Sequence, residues 1–219
     1  MRDDNGLTSN HPASADQRDS CDSPYVNLRA HAFAVLSALF RDDPDPAAVG
    51  RFIELWETAG SDREIHQLGP GSTRAAHRLC EVWESDGIQV SLERRQEFAR
   101  LFLSRCSIHP YESVYLGTRK RLMDDPWVEV CEFYREAGMQ KGTDELHPED
   151  HVSVELGFMA YLAFLANPDL ADTERRFLAE HLVRWVPQLC RDIETRPDAS
   201  HYRVVARFAR ALVEEDHAR

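Results

Sequence analysis

Apolar residues recur along most of the chain at intervals of three and four positions. In the segment YVNLRAHAFAVLSALF, Leu28, Phe33, Leu36 and Phe40 follow this interval. Such spacing places side chains on one face of an α-helix, whereas a half-buried strand alternates at every second residue. No segment alternates convincingly in that way, and no internal repeat occurs. The pattern therefore predicts an all-α protein, a compact single-domain bundle of about ten helices.

Helical periodicity begins near Tyr25. Residues 1–24 are polar, rich in Asp and Ser, and without any period. Such a segment buries too little apolar surface to offset the entropy of ordering it. We therefore expect a disordered polar tail over residues 1–24 and one helical domain over residues 25–219.

Three further segments define where helices begin, bend or bury an apolar face. LGPGST, residues 68–73, indicates a loop from which Ser72 or Thr73 caps the following helix. DTERRFLAEHLVRWVPQLCRDIETRP predicts one long helix, kinked where Pro187 removes a backbone donor. SLERRQEFARLFLSR predicts a further helix, with an apolar stripe formed by Leu92, Phe98, Leu101 and Phe102.

HPEDHVSVELGFMAYL, residues 147–162, contains the most unusual polar group. His147, His151 and Glu155 are four residues apart, the spacing of metal ligands on one helical face. Pro148 opposes that interpretation, because the residue before a proline avoids helical backbone angles and proline favours the first helical position. The sequence therefore predicts that the helix begins at Pro148 and that His147 lies outside it.

A helix beginning at Pro148 places Glu149 and Asp150 in its first turn, where carboxylates complement the positive helix end. His151 and Glu155 then form an i, i+4 pair on a helix that is apolar on most sides. Such a helix is central to the fold, so we expect Glu155 to be partly buried and to need a partner. Either His151 or an arginine from another helix can be the partner of Glu155.

PYESVYLG, residues 110–117, is the second unusual stretch. Pro110 fixes one backbone angle and Gly117 permits others. Tyr111 and Tyr115 carry large apolar bodies with polar tips. The stretch is either an aromatic-packed turn or one wall of a peptide-binding groove.

Composition narrows the function classes. The net charge is −12, from 26 basic and 38 acidic side chains, which disfavours nucleic-acid binding and suits a cationic partner. The five cysteines are scattered without CxxC, which argues against a disulfide framework and a zinc cluster. No apolar run is long enough for a membrane span, and the N-terminus lacks a secretory core. We expect a cytoplasmic protein without stable membrane insertion.

Sequence motifs for the common catalytic sites are absent. The chain contains no GxxxxGK[ST], GxGxxG, GxSxG or HExxH. No nucleophile with a nearby base emerges from spacing. We therefore expect no enzyme activity, no cofactor and no metal.

Several segments, taken in chain order, resemble the TorD/DmsD/NarJ family of molybdoenzyme maturation chaperones. They are EFARLF, PYESVYLG, FYREAGM, HPEDHVSVELGFMAYL and FLAEHLVRWVPQL. The resemblance implies an all-helical cytoplasmic chaperone that binds the N-terminal twin-arginine signal peptide of a molybdopterin-dependent oxidoreductase. Such a chaperone assists folding and cofactor insertion and holds the enzyme back from export until the cofactor is in place. Its partners are then the signal peptide and the catalytic subunit, and the chaperone is a monomer or a dimer.

The resemblance also implies which residues bind the client. The family's elements fall on Asp150 and His151, on Phe98, Leu101 and Phe102, and on Pro110, Tyr111, Ser113 and Tyr115. On physical grounds a groove lined by Phe98, Leu101, Tyr111 and Tyr115 would bury the apolar part of the signal peptide, and Glu112 or Asp150 would accept its guanidinium groups. The predicted client-binding residues are Phe98, Leu101, Phe102, Pro110, Tyr111, Glu112, Ser113, Tyr115, Asp150, His151 and Glu155.

Two alternatives remain open. In the first, the client is a nitrate-reductase-type catalytic subunit that is not exported. In the second, the chain is a small helical metalloenzyme that uses His147, His151 and Glu155. A DNA-binding regulator is disfavoured by the acidic balance.

Overall fold

The computed structural model describes residues 27–41, 46–59, 67–85, 92–140, 142 and 145–219; the predicted polar tail lies outside them. Most of this part of the chain is helical and none of it forms a β-strand, which confirms the all-α prediction. The helices, in chain order, are α1 (Leu28–Leu39), α2 (Pro46–Thr58), α3 (Pro70–Ser85), α4 (Leu92–Phe102), α5 (Glu112–Leu116), α6 (Asp125–Glu136), α7 (Val152–Leu165), α8 (Ala171–Phe177), α9 (Val183–Thr195) and α10 (His201–His217).

Helix α7 is central, as its apolar sequence predicts. It packs most extensively against α1, while α10 packs against both α9 and α3. Its C-terminal end differs from the prediction, because Phe164 and Leu165 are about half exposed. The largest fully buried side chains of the core are Trp185, Phe33, Phe40, Phe52, Phe177 and Phe208.

Helices α1 and α7 approach each other closely. The Ser37 hydroxyl donates a hydrogen bond to the backbone carbonyl of Ser153 over 2.7 Å. A Cβ atom added to Gly157 would lie only 3.1 Å from the Ser37 Oγ. Near the other end of the pair, the Asn27 side-chain amide donates to the carbonyl of Ala163 over 2.6 Å. These contacts fix the segment that follows HPEDH against the first helix.

Two boundary predictions are wrong at α3. The helix begins at Pro70, so residues 70–73 are helical and not part of a loop. Ser72 is buried and does not cap; its backbone N–H and hydroxyl both donate to Glu215 Oε2, over 2.8 and 2.6 Å. A carboxylate from α10 therefore satisfies the first turn of α3, an arrangement that local sequence cannot reveal.

Two further details differ from the predicted helices. Leu92, assigned to the apolar stripe of α4, is 70% exposed. The predicted long helix forms as α8, a π-helical turn over Leu178–Leu182, and α9. Pro187 lies inside α9, and the departure from α geometry lies upstream of it. Among the described helices, none combines the length and apolar character that a membrane span needs.

Candidate client-binding site

A short antiparallel bridge joins the two unusual stretches of the sequence. Tyr111 pairs with His151. The N–H of Glu112 donates to the Asp150 carbonyl, and the N–H of Val152 donates to the Pro110 carbonyl, each over 2.9 Å. PYESVYLG and HPEDH therefore form one structural unit.

The bridge also moves the start of the central helix. Helix α7 begins at Val152, with His151 as its N-cap, and not at Pro148 as predicted. Pro148 and Glu149 precede it in a turn that α6 holds: Trp127 Nε1 donates to Glu149 Oε2 over 2.7 Å, and the Tyr134 hydroxyl donates to the Glu149 carbonyl over 2.9 Å. The predicted positions of Glu149 and Asp150 in a first helical turn are therefore wrong.

Asp150 is fully buried and caps the short helix α5. Its Oδ2 accepts the backbone N–H of Ser113 over 3.0 Å. Burial raises the pKa of Asp150, and the hydrogen bonds from Ser113 oppose that rise. In this structure Asp150 shapes the bridge and presents no carboxylate to solvent.

His151 is 2% exposed and is held on three sides. Its Nδ1 accepts the backbone N–H of Ser153 over 3.2 Å. Its ring stacks on His147 at a centroid separation of 3.9 Å and contacts the edge of Tyr111 at 4.9 Å. Burial, followed by His147 and Arg41, lowers the pKa of His151 well below its ordinary value. His151 is therefore a neutral ring.

Behind the bridge lies a buried polar cluster. His181 Nδ1 is 2.8 Å from Glu112 Oε2, and Trp185 Nε1 donates to Glu155 Oε2 over 3.0 Å. Burial raises the pKa of Glu112 in spite of His181. Burial and the neighbouring Glu112 raise the pKa of Glu155 well above its ordinary value. Glu155 thus interacts with Trp185 and with the neighbouring Glu112, and not with His151 or an arginine as predicted.

The three residues of the metalloenzyme alternative do not converge. His147 and His151 stack ring on ring, and Glu155 is directed to Trp185 in the core. Within the ranges the structure describes, no group of three or more His, Cys, Asp or Glu side chains is arranged to hold a metal ion. The geometry therefore gives the metal interpretation no support.

The aromatic residues assigned to a groove occupy different places. Phe98, Leu101 and Phe102 are buried; Phe98 and Phe102 pack against Tyr202 with ring centroids 5.7 and 5.4 Å apart. All three side chains belong to the buried hydrophobic core. Glu97 caps α10 beside them.

Tyr115 lies apart from Tyr111. Its hydroxyl donates to Asp192 Oδ2 over 2.9 Å, and its ring packs on Trp185 at 5.5 Å. It lines a surface groove of about 620 Å³, together with residues that include Lys120 and Asp192. The two tyrosines thus face different surroundings and do not form one wall.

A separate cavity of about 330 Å³ lies where α1, the end of α6 and the start of α7 meet. Its apolar walls include Met139, Val154 and Phe158. The charged residues among those that line it are Arg41 and Glu145, which form an ion pair. FYREAGM and HPEDHVSVELGF thus supply much of this cavity.

Sequence reasoning missed the contribution of α1 to this cavity. Ser37 lies in α1 and Arg41 directly follows that helix; they precede their partners Ser153 and Glu145 by 116 and 104 residues. The one local signal was a carboxylate, Glu145, close to His147 and Asp150. Its arginine partner is far away in sequence and only the folded chain brings it near.

Comparison with known proteins identifies the class. The family model described as nitrate reductase delta subunit matches residues 66–191. The chain is 30% identical to the chaperone protein TorD of Vibrio cholerae El Tor N16961 over 208 residues, which cover 86% of this chain and 90% of that protein. It therefore belongs to the TorD/DmsD/NarJ family, a family of molybdoenzyme maturation chaperones and not of enzymes.

A further relative and a solved structure are similar to this chain, the first in sequence and the second in fold. TorD of Photobacterium profundum is 29% identical over 139 residues, covering 59% of this chain and 64% of that protein, somewhat less than two thirds of its length. The crystal structure of a putative redox enzyme maturation protein from Archaeoglobus fulgidus shares the fold. It superposes with a TM-score of 0.53 over 86% of this chain and 95% of that one, at 23% identity.

Proposed function

We propose that this chain is a cytoplasmic chaperone that binds the N-terminal twin-arginine signal peptide of a molybdopterin-dependent oxidoreductase. It assists the folding and cofactor insertion of that enzyme before export. The observation that carries the proposal is the 330 Å³ cavity. It is lined by residues of α1 and of FYREAGM and HPEDHVSVELGF, two of the segments that resemble the family. The chaperone itself uses no cofactor and acts as a monomer or a dimer.

The chemistry of the cavity matches that of a signal peptide. Met139, Val154 and Phe158 supply apolar walls for the apolar segment of the peptide, as in other grooves that bind amphipathic helices. Glu145 supplies a carboxylate, which can accept the paired hydrogen bonds of a guanidinium. A net charge of −12 favours the approach of a basic peptide from a distance.

Within this proposal Tyr115 lines the separate 620 Å³ groove, and the other predicted site residues divide into two roles. Tyr111 and His151 form the bridge directly before the start of α7, which lines the cavity. Asp150 stabilises that bridge by accepting the backbone N–H of Ser113. The buried residues support the shape of the site from within the core. They are Phe98, Leu101, Phe102, Pro110, Glu112, Ser113 and Glu155.

The test begins with co-purification from the native host and identification of the bound catalytic subunit. Its N-terminal peptide is then titrated calorimetrically into the wild type and into Asp150→Ala and His151→Ala. Both variants should bind at least about tenfold more weakly, a loss of about 1.4 kcal/mol. Glu93→Ala, an exposed change on α4, serves as the control. Unchanged affinity in both site variants, with folding intact by circular dichroism, would contradict this site.

A second client class is also supported. The matching family model is described as nitrate reductase delta subunit. A catalytic subunit that is not exported is therefore the other candidate client. The N-terminal sequence of the co-purified subunit distinguishes the two, because a twin-arginine signal marks an exported client.

A further inference from the structure

The ion pair at the cavity joins two segments that are distant in sequence. Arg41 follows α1, and Glu145 lies just before HPEDH, 104 residues later. The two partners are unequally exposed: the Arg41 side chain is 52% exposed and the Glu145 side chain only 13%. The Glu145 carboxylate is therefore part of the cavity wall, whereas the Arg41 guanidinium lies at the solvent-exposed edge of the cavity.

Glu145 is fixed from the protein side. Its Oε1 accepts the backbone N–H of His147 over 3.1 Å, and its Oε2 pairs with Arg41. The carboxylate is therefore held in place by the loop and offers its other oxygen to a cation. Among the residues that line the cavity, Arg41 is the cation it has.

Arg41 is bound weakly enough to leave. An ion pair whose guanidinium is half exposed contributes little to stability, because water solvates the guanidinium well when it is released. Exchange for a second guanidinium would conserve the hydrogen bonds and the charge at Glu145. It would also conserve the positive charge that Arg41 places near His151.

From these contacts we infer that Arg41 is an internal substitute for a client arginine: it pairs with Glu145 in this structure and yields that carboxylate to a guanidinium of the signal peptide. The inference rests on the proposed function and adds that Glu145 is the residue that selects a client arginine. It also adds a threshold, because the client must displace Arg41 before it binds. An apolar peptide without arginine gains nothing from that exchange.

The inference is tested with two variants that lose the same ion pair. Arg41→Ala frees Glu145 and should bind the arginine-containing signal peptide about fivefold more tightly, the factor that corresponds to about 1 kcal/mol. Glu145→Gln removes the acceptor and should bind at least about tenfold more weakly. Both variants lose the ion pair, so its loss alone cannot change the two affinities in opposite directions, and circular dichroism checks that each variant is folded. Arg41→Lys should stay near the wild type.

A peptide in which both arginines are glutamine completes the experiment. Arg41→Ala should not tighten its binding, because the gain requires a guanidinium. If Arg41→Ala binds the arginine peptide as the wild type does, or more weakly, the role of Arg41 is overturned while the proposed function stands. If the wild type binds neither peptide, both are overturned. Tighter binding of both peptides would show that Arg41 only obstructs the cavity and would overturn the exchange.

Discussion

Nδ1 of His181 lies 2.8 Å from Oε2 of Glu112, and both side chains are only 1% exposed. The pair links the bridge segment to the π-helical turn between α8 and α9. An isolated charge or polar ring in such a place is costly, so each partner depends on the other.

Removing one partner of this pair should destabilise the fold strongly. Glu112→Ala leaves His181 buried without its acceptor, and we expect the free energy of unfolding to fall by about 3–5 kcal/mol. Denaturation in urea measures it. Glu132→Ala, an exposed change on α6, should alter it by less than about 0.5 kcal/mol. A Glu112→Ala variant as stable as this control would show that the pair contributes nothing.

Glu155 should make the protein more stable at low pH than at high pH. The folded state raises the pKa of Glu155 above 4.5, so it keeps a proton that the unfolded state releases. Stability from this group is present below about pH 4.5 and is lost as the pH rises toward the folded pKa, by up to about 1.4 kcal/mol per pH unit in that window.

Glu155→Gln should remove this dependence. Glutamine keeps an oxygen that accepts the N–H of Trp185 but carries no titrating proton. Unfolding free energies of the wild type and the variant, measured in urea at pH 5 and pH 8, should show that the variant gains relative to the wild type as the pH rises. An advantage that is the same at both values would contradict the buried, protonated state.

Glu97 should be necessary for the start of α10. Its Oε1 accepts the N–H groups of Ser200 and Tyr202, each over 2.8 Å, and its Oε2 accepts that of His201 over 3.1 Å. Glu97→Ala leaves these donors without their acceptor and should cost about 2–3 kcal/mol of unfolding free energy. Glu93→Ala, one turn earlier on the same helix and exposed, is the matched control. Equal stability of the two variants would rule out the cap.

Gly117 should resist substitution for lack of space. A Cβ atom there would lie 2.3 Å from the carbonyl oxygen of Ser113 and 2.7 Å from Oδ2 of Asp124. Gly117→Ala should therefore lower the free energy of unfolding by about 1–3 kcal/mol. At Gly142 the added Cβ has no heavy atom of the described residues within 4 Å, so Gly142→Ala should be nearly neutral. Thermal unfolding of the two variants compares them, and a neutral Gly117→Ala would contradict this close packing.

The helical fold could be predicted because its cause is local. Apolar spacing set the buried face of α1, where Phe33 and Leu36 are fully buried. The start of α7 could not be predicted in the same way. The rules for proline favour Pro148 as a helix start, but the bridge between His151 and Tyr111 uses the backbone groups that an earlier start would need. A contact between residues 40 positions apart overrides the local preference.

The candidate site was only partly accessible to sequence reasoning. An apolar stripe predicts that Phe98 and Leu101 are buried, but it does not indicate whether they pack against the core of the protein or against a client. In the structure Phe98 packs on Tyr202 of α10, and Leu101 is fully buried in the core. The Arg41–Glu145 pair has no local signature, because it depends on how α1 packs against the loop before α7.

The most direct test of the central claim is whether the signal peptide binds in the 330 Å³ cavity. Val154 lines this cavity, and Val154→Trp would fill it; Val128→Trp adds the same bulk at an exposed position on α6. Calorimetric titration of the client's signal peptide should show binding by the wild type and by Val128→Trp, and loss of binding by at least about tenfold in Val154→Trp. Equal affinity of Val154→Trp and Val128→Trp, with both folded, would contradict the account.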